Sequence, residues 1–194
     1  MAKLSFIFGS MGSSKTANAL MQRFDLIESG FNVLLLKPST DNRDGVTVIK
    51  SRIGISAEAK TYSTGESIIG KYLDEILECD CVIVDEVQFS NKAQVLELKQ
   101  IAEEFDKPVY TYGLRTDFQL NFFEGSEALF KYADTINGVS KTCTCGNEAI
   151  VNARYDDEGI IYEGEQVVLG SNDKYKALCY TCYKKGRLHG KNRN

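Results

Sequence analysis

Short apolar runs alternate with stretches of helical spacing over the first two thirds of the chain. Leu4–Phe8 is the first run and predicts a strand. From Thr16 to Ser29, the residues Ala17, Leu20, Met21, Phe24 and Ile27 recur at three- and four-residue intervals. That is the period of a helix with one apolar face, and Gly30 supplies a stop just past its end. Val33–Leu36 predicts a second buried strand, closing a βαβ unit whose strands should be parallel and whose crossover right-handed. Glu66–Leu77 predicts a helix, and Val82–Val84 a strand ending in Asp85-Glu86. Asn91–Phe105 predicts another helix, halted before Lys107-Pro108, and Val109–Tyr112 a fourth strand. Strands alternating with helices imply an α/β fold: a parallel sheet flanked by helices.

The pattern changes after Gly138. Strand-like pieces at Ala149–Tyr155, Ile160–Tyr162 and Gln166–Leu169 are separated by turn residues and bracketed by cysteine pairs, with no helical period until the last stretch. We therefore expect two units, residues 1–138 and residues 139–194. There is no internal repeat and no low-complexity segment.

Composition narrows the class. At 194 residues, 43% hydrophobic and 26% charged, the chain has the make-up of an ordinary globular protein. A formal net charge of -4 argues against whole-surface attraction to nucleic acid or to anionic membranes. The basic residues Lys184, Lys185, Arg187, Lys191 and Arg193 crowd the last stretch, as solvated ends often do. No run approaches the roughly 20 apolar residues of a membrane span, and the apolar stretch after Lys3 is broken by Gly9, too short for a signal-peptide h-region, so no signal peptide is expected. A cytoplasmic location is expected, where six cysteines are read as metal ligands or core and not as disulfides.

Three motifs carry chemistry. Gly9-Ser10-Met11-Gly12-Ser13-Ser14-Lys15-Thr16 lies between a strand and a helix, where a phosphate-binding loop belongs. Loop N–H groups and the helix N-terminus would surround phosphates, Lys15 would reach the β- and γ-oxygens, and Thr16 would ligate Mg²⁺. The template places Gly where Ser14 stands; if that site needs a positive φ, a Cβ there costs on the order of 1 kcal/mol. A Ser/Gly-rich turn is the plainer reading. Second, Asp85-Glu86 ends an apolar strand, the place of a Mg²⁺-organising carboxylate in such enzymes, on the sheet edge from which Lys15 should also emerge. Glu86 is then free to act as a base on a hydroxyl; a solvated acid pair is the plainer reading. Third, Cys179-x-x-Cys182 has the spacing that grips tetrahedral Zn²⁺. Cys143-x-Cys145 is one residue tighter, with Gly146 to help the turn. Cys79 and Cys81 have no partner pair and read as core or surface thiols, and His189 as a tail residue.

These residues and others, in order over nearly the whole length, resemble the type II thymidine kinase family. Lys37-Pro38-x-x-Asp41-x-Arg43 is similar to its K-P-x-x-D-x-R, and Ser51-Arg52-Ile53-Gly54 to its S-R-x-G. Asp85-Glu86-Val87-Gln88-Phe89 resembles the diagnostic D-E-x-Q-F, and Gly113–Phe118 the family's G-L-R-T-D-F. Val168–Tyr175, before the second cysteine pair, resembles its nucleoside-gripping loop. The resemblance implies a P-loop (RecA-like) sheet with a small C-terminal zinc-bearing lasso domain. It implies transfer of the ATP γ-phosphoryl group to the 5′-hydroxyl of thymidine, with deoxyuridine a poorer substrate.

Carried over by position, Gly9 to Thr16 with Asp85 and Gln88 bind ATP and Mg²⁺. Glu86 accepts the 5′-hydroxyl proton, and Arg43 neutralises charge on the phosphoryl group while Asp41 organises its segment. Phe89, Leu114, Phe118, Phe122, Asn152, Val168, Gly170 and Tyr175 surround the nucleoside. Cys143, Cys145, Cys179 and Cys182 hold structural Zn²⁺. The family pattern further implies a homotetramer and feedback by dTTP. Three positions depart from it: Ser14 replaces Gly, the first cysteine pair is C-x-C, and Asn152 stands where Thr is common. A RecA-type ATPase with a zinc ribbon that binds DNA shares the loop and the acid, but has no need of Gln88-Phe89 or of the lasso.

Overall fold

The computed structural model describes residues 1–41, 45–166 and 175–189. Its larger layer is a six-stranded parallel sheet made from β1 (Leu4–Gly9), β2 (Val33–Pro38), β5 (Lys60–Tyr62), β6 (Cys81–Val84), β7 (Val109–Gly113) and β8 (Thr135–Val139), in the order β5-β2-β6-β7-β1-β8. The four innermost strands were all legible as apolar runs. Central strands of a parallel sheet are covered on both faces and so carry near-continuous hydrophobic sequence. Cys81, Val82, Ile83 and Val84 are accordingly all buried. The two outer strands were not legible. Lys60–Tyr62 has three residues, and Thr-Ile-Asn-Gly-Val in β8 has only its end residues partly shielded.

The helices α1 (Lys15–Glu28), α2 (Ile68–Glu78), α3 (Lys92–Glu103) and α4 (Glu124–Tyr132) connect the strands. Sequence placed the first three within two residues of their ends and missed α4. Two begin with side-chain caps. Ser67 Oγ accepts from the Gly70 N–H at 2.8 Å, and Asn91 forms a capping box with Gln94. A two-stranded hairpin, β3 (Val48–Lys50) with β4 (Ser56–Glu58), follows β2 and was not expected.

The core forms on the two sides of the sheet. Leu4, Phe6, Leu36, Val82, Val84, Val95, Leu98 and Leu129 join one cluster with α2, α3 and α4. Ala19, Leu20, Leu35, Ile49, Ile83 and Tyr112 form another under α1. A third cluster belongs to the last stretch of chain, where β9 (Val151–Tyr155) lies between β10 (Ile160–Ile161) and β11 (Tyr175–Leu178), followed by the short α5 (Tyr180–Lys184). The expected strand at Gln166–Leu169 lies outside the described residues except for Gln166, whose Nε2 donates to Asp117 Oδ2 at 3.0 Å.

Candidate active site

The carboxyl ends of β1 and β6 meet at a cleft of about 340 Å³, within the range of small-molecule sites. Met11–Thr16 form one wall, Asp85, Glu86 and Leu114 another, and Asp41 with the hairpin tip Lys50–Gly54 the third. The loop after β1 turns through two left-handed residues, Gly12 at φ +71° and Ser14 at φ +66°, before α1 begins at Lys15. The condition raised by the sequence is thus met: Ser14 occupies a conformation that glycine takes at no steric cost. Its side chain is exposed and makes no capping bond. Lys15 is buried, and its Nζ donates to the Ser10 carbonyl at 2.9 Å.

Asp85 is 3% exposed at the end of β6. Burial, and then the neighbouring Glu86 charge, push its carboxyl up to about 7, against the Thr16 hydroxyl, the Glu86 backbone N–H and Lys15, which favour the carboxylate. Thr16 and Asp85 are thereby brought side by side, as a Mg²⁺ site in a phosphate loop requires. Glu86 itself is left-handed, at φ +52°, a strained backbone of the kind held at functional sites. Gln88 fixes its side chain. Gln88 Nε2 donates to Glu86 Oε2 at 2.5 Å, and Gln88 Oε1 accepts from the Leu114 N–H at 3.0 Å. This clamp depends on Gly113, where a Cβ would sit 2.7 Å from Gln88 Oε1. Gln88 is 2% exposed and does not line the cleft; its contacts are with Glu86 and Leu114.

The other expected residues are scattered more widely. Leu114 lines the cleft with the phosphate loop. Phe89 packs edge-on against Phe123, and Phe122, 48% exposed, packs on Phe130. Phe118 is 1% exposed with the Arg154 guanidinium over its ring at 5.2 Å. Tyr175 opens β11 opposite Arg154. Both ends of the buried Asn152 amide are taken by protein: Oδ1 accepts from the Met11 N–H at 2.7 Å, and Nδ2 donates to the Thr116 carbonyl at 3.0 Å. Asp41 sits 3.5 Å from the fully buried Lys37 ammonium. Arg43, Val168 and Gly170 lie outside the described residues.

The resemblance of Ser51–Gly54 to S-R-x-G carries no role for Arg52. Its guanidinium lines the cleft and lies 3.6 Å from where a Gly12 Cβ would be. A cation two residues beyond a short strand gives no periodic signal, so only the fold of the hairpin reveals it.

Away from the cleft, the Sγ atoms of Cys143, Cys145, Cys179 and Cys182 all lie within 4.8 Å of one another. Four sulfurs around a tetrahedral Zn²⁺ are separated by about 3.8 Å, and Cys145 and Cys179 approach to 3.6 Å. The tight C-x-C pair serves because the Cys143 carbonyl accepts the Gly146 N–H at 2.9 Å and closes a turn. Burial alone would raise the Cys143 thiol, but N–H groups of Cys145 and Cys179 outweigh it and bring it down to about 6. Burial and the three other sulfurs push Cys182 up to about 12. Four thiols so placed fit one dication that accepts their negative charge.

The thymidine kinase family model matches residues 2–183. The chain belongs to the thymidine kinase family. Thymidine kinase of Rhodopirellula baltica is 39% identical over 194 residues, 98% of this chain and 89% of its own. That of Coxiella burnetii is 38% identical over 191 residues, covering 96% and 97% of the two chains. That of Yersinia pestis is 37% identical over 187 residues, 95% of each. Among solved structures, AMPPCP-bound DnaA from Aquifex aeolicus has a TM-score of 0.43 and 13% identity over 72% of this chain and 41% of its own. For this family member, the DNA-binding ATPase alternative is not favoured. Among the described residues, no helix is long and apolar enough to cross a membrane.

Proposed function

We propose that the protein transfers the γ-phosphoryl group of ATP to the 5′-hydroxyl of thymidine, giving dTMP and ADP. The observation that carries this reading is the Gln88 clamp, which holds the Glu86 carboxylate in the same cleft as Lys15, Thr16 and Asp85. Lys15 turns from the Ser10 carbonyl to phosphate oxygens, and the loop N–H groups line the rest of the triphosphate. Thr16 and Asp85 are the residues that would hold Mg²⁺, which neutralises charge on the β- and γ-oxygens when bound. Glu86 takes the 5′-hydroxyl proton as the new O–P bond forms and the bond to ADP breaks. Little more is asked of the protein, because phosphoryl transfer depends mainly on positioning and charge. Arg43 is assigned the charge developing on the moving group, from its place in the motif. Arg52, at the mouth of the same cleft, is a second cation of the right kind.

Phe89, Leu114, Phe118, Phe122, Val168, Gly170 and Tyr175 are assigned to the nucleoside; Asn152, expected with them, has both ends of its amide bonded to protein instead. Such apolar walls discriminate weakly against a missing methyl, by about 1 kcal/mol or slightly more, so deoxyuridine is a poorer substrate. dTTP offers both a thymine base and a triphosphate for the loop, which supports its role as a feedback inhibitor. Cys143, Cys145, Cys179 and Cys182 hold structural Zn²⁺ in a small unit, residues 139–194, that closes over the nucleoside beside the kinase unit 1–138. A cytoplasmic homotetramer accords with the family and with the exposed apolar residues Met21, Phe24 and Phe31 on and after α1.

The test is incubation with ATP and thymidine, with product analysis, beside Glu86→Gln. Wild type should yield dTMP and the variant little. ATP hydrolysed by wild type without dTMP would overturn the proposal.

A further inference from the structure

Asn152 is the second residue of β9, 3% exposed, and both of its side-chain hydrogen bonds leave its own sheet. One goes to the phosphate loop, 141 residues away in sequence, and the other to the segment after β7. The orientation of the amide is fixed by its partners, because a flipped amide would set N–H against N–H and oxygen against oxygen. Thr116, which accepts the second bond, is two residues beyond Leu114, whose N–H holds Gln88 and through it Glu86. Hydrogen bonds, joined by the backbone of residues 114–116, therefore link Met11 through Asn152 to the Glu86 carboxylate in the cleft. On its other side, Asn152 faces Ala177 across the β9–β11 ladder, two residues from Tyr175. The strand that carries a residue assigned to the nucleoside is thus bonded directly beside the one that carries Asn152.

We propose that Asn152 is a positioning residue that couples the two substrates, so that a nucleoside seated against β11 and the 114–118 segment tightens ATP in the phosphate loop. The proposal rests on the thymidine kinase reading for the identity of the two ligands. A nucleoside that fixes β9 and β11 also fixes the acceptor for the Met11 N–H, and the phosphate loop then loses less freedom when ATP arrives. By linkage, ATP must tighten the nucleoside by the same factor. A buried amide with both ends engaged suits this role, since leaving either partner unpaired is costly.

The experiment measures dissociation constants of AMP-PNP, a non-hydrolysable ATP analogue, with and without saturating thymidine. Wild type should bind the analogue about fivefold or more tightly in the presence of thymidine. In Asn152→Leu, close in volume and without hydrogen bonds, the ratio should fall to about one, and the analogue alone should bind more weakly. Asn152→Asp keeps the acceptor for Met11 but removes the donor to Thr116. Its buried carboxylate also adds a negative charge beside the phosphate loop, so it should bind the analogue alone more weakly than wild type and lose the enhancement as well, and it stands in if the Leu variant melts near room temperature. A merely structural role would lower stability and leave the ratio intact. A wild-type ratio of one, or a variant that folds and keeps the full ratio, overturns the proposal. Product analysis on the same wild-type preparation separates this from failure of the kinase reading, which would show as no dTMP at all.

Discussion

Replacing Ser14 with glycine should stabilise the protein slightly and leave its reaction intact. Ser14 has φ +66° and ψ +17°, a conformation that costs a residue with a Cβ about 1–2 kcal/mol. Its hydroxyl returns nothing locally, because it makes no capping bond to the helix that starts at the next residue. Against this, glycine adds about 0.4–1 kcal/mol of unfolded-chain freedom. The net gain is therefore roughly 0.5–1 kcal/mol, or about 1–4 °C in melting temperature for a chain of this size. Ser14→Ala keeps the Cβ and should match wild type, whereas Ser14→Val, branched at Cβ, should fall below it. Differential scanning calorimetry reads the series, and steady-state kinetics should show an ATP KM for Ser14→Gly that is unchanged or up to about fivefold lower. A glycine variant that melts lower and loses most of its activity would refute the reasoning. It would show that the hydroxyl contacts the nucleotide and that the strain is repaid there.

Asp85 should make the nucleotide-free protein less stable as pH rises. Its folded-state pKa is raised to about 7 by burial and by Glu86, so its contribution is fully present below about pH 4 and is lost by about pH 7. Urea melts of Asp85→Asn without Mg²⁺ should show an advantage over wild type that grows across this window to at most a few kcal/mol, and a pH-independent difference would contradict it. Gly113→Ala would set a Cβ 2.7 Å from Gln88 Oε1, and should push that amide off the Leu114 N–H and release Glu86. We expect kcat to fall tenfold or more, on the order of 1.4 kcal/mol, with ATP KM little changed; equal loss in both would point to a general collapse of the cleft. Elemental analysis should find about one zinc per chain, and chelation should lower the melting temperature; a metal-free protein with an unchanged melt would remove zinc from the four-cysteine cluster.

Sequence carried the chemistry further than the architecture. The phosphate loop, Asp85-Glu86 and the two cysteine pairs are local patterns, and their residues do converge, because each pattern sits at the end of a strand or in a tight turn. The inner strands were legible for the related reason that full burial demands unbroken apolar runs. The hairpin that brings Arg52 to the cleft was not, since three-residue strands exposed on one side carry too little periodicity. Aromatic residues were ambiguous in the way expected of them: Phe118 has the burial of a core residue, while Phe122 is open to solvent. Asn152 marks the sharper limit. Its type suggested hydrogen bonding, but partners 141 and 36 residues away are set by topology alone.

The last pair in the β1–β8 register is Gly9 with Val139. The strand that delivers the phosphate loop and the strand that leads to the cysteines therefore end side by side, and only residues 140–142 separate Val139 from Cys143. A leash of that length reaches no more than about 14 Å when fully drawn out. It keeps the cysteine unit at high effective concentration beside the phosphate loop, to which Asn152 bonds, whatever its own affinity for it. Individually weak contacts, such as a single amide bridging to the loop, can then stay made. Lengthening the leash with flexible residues would dilute them without altering one atom of either surface.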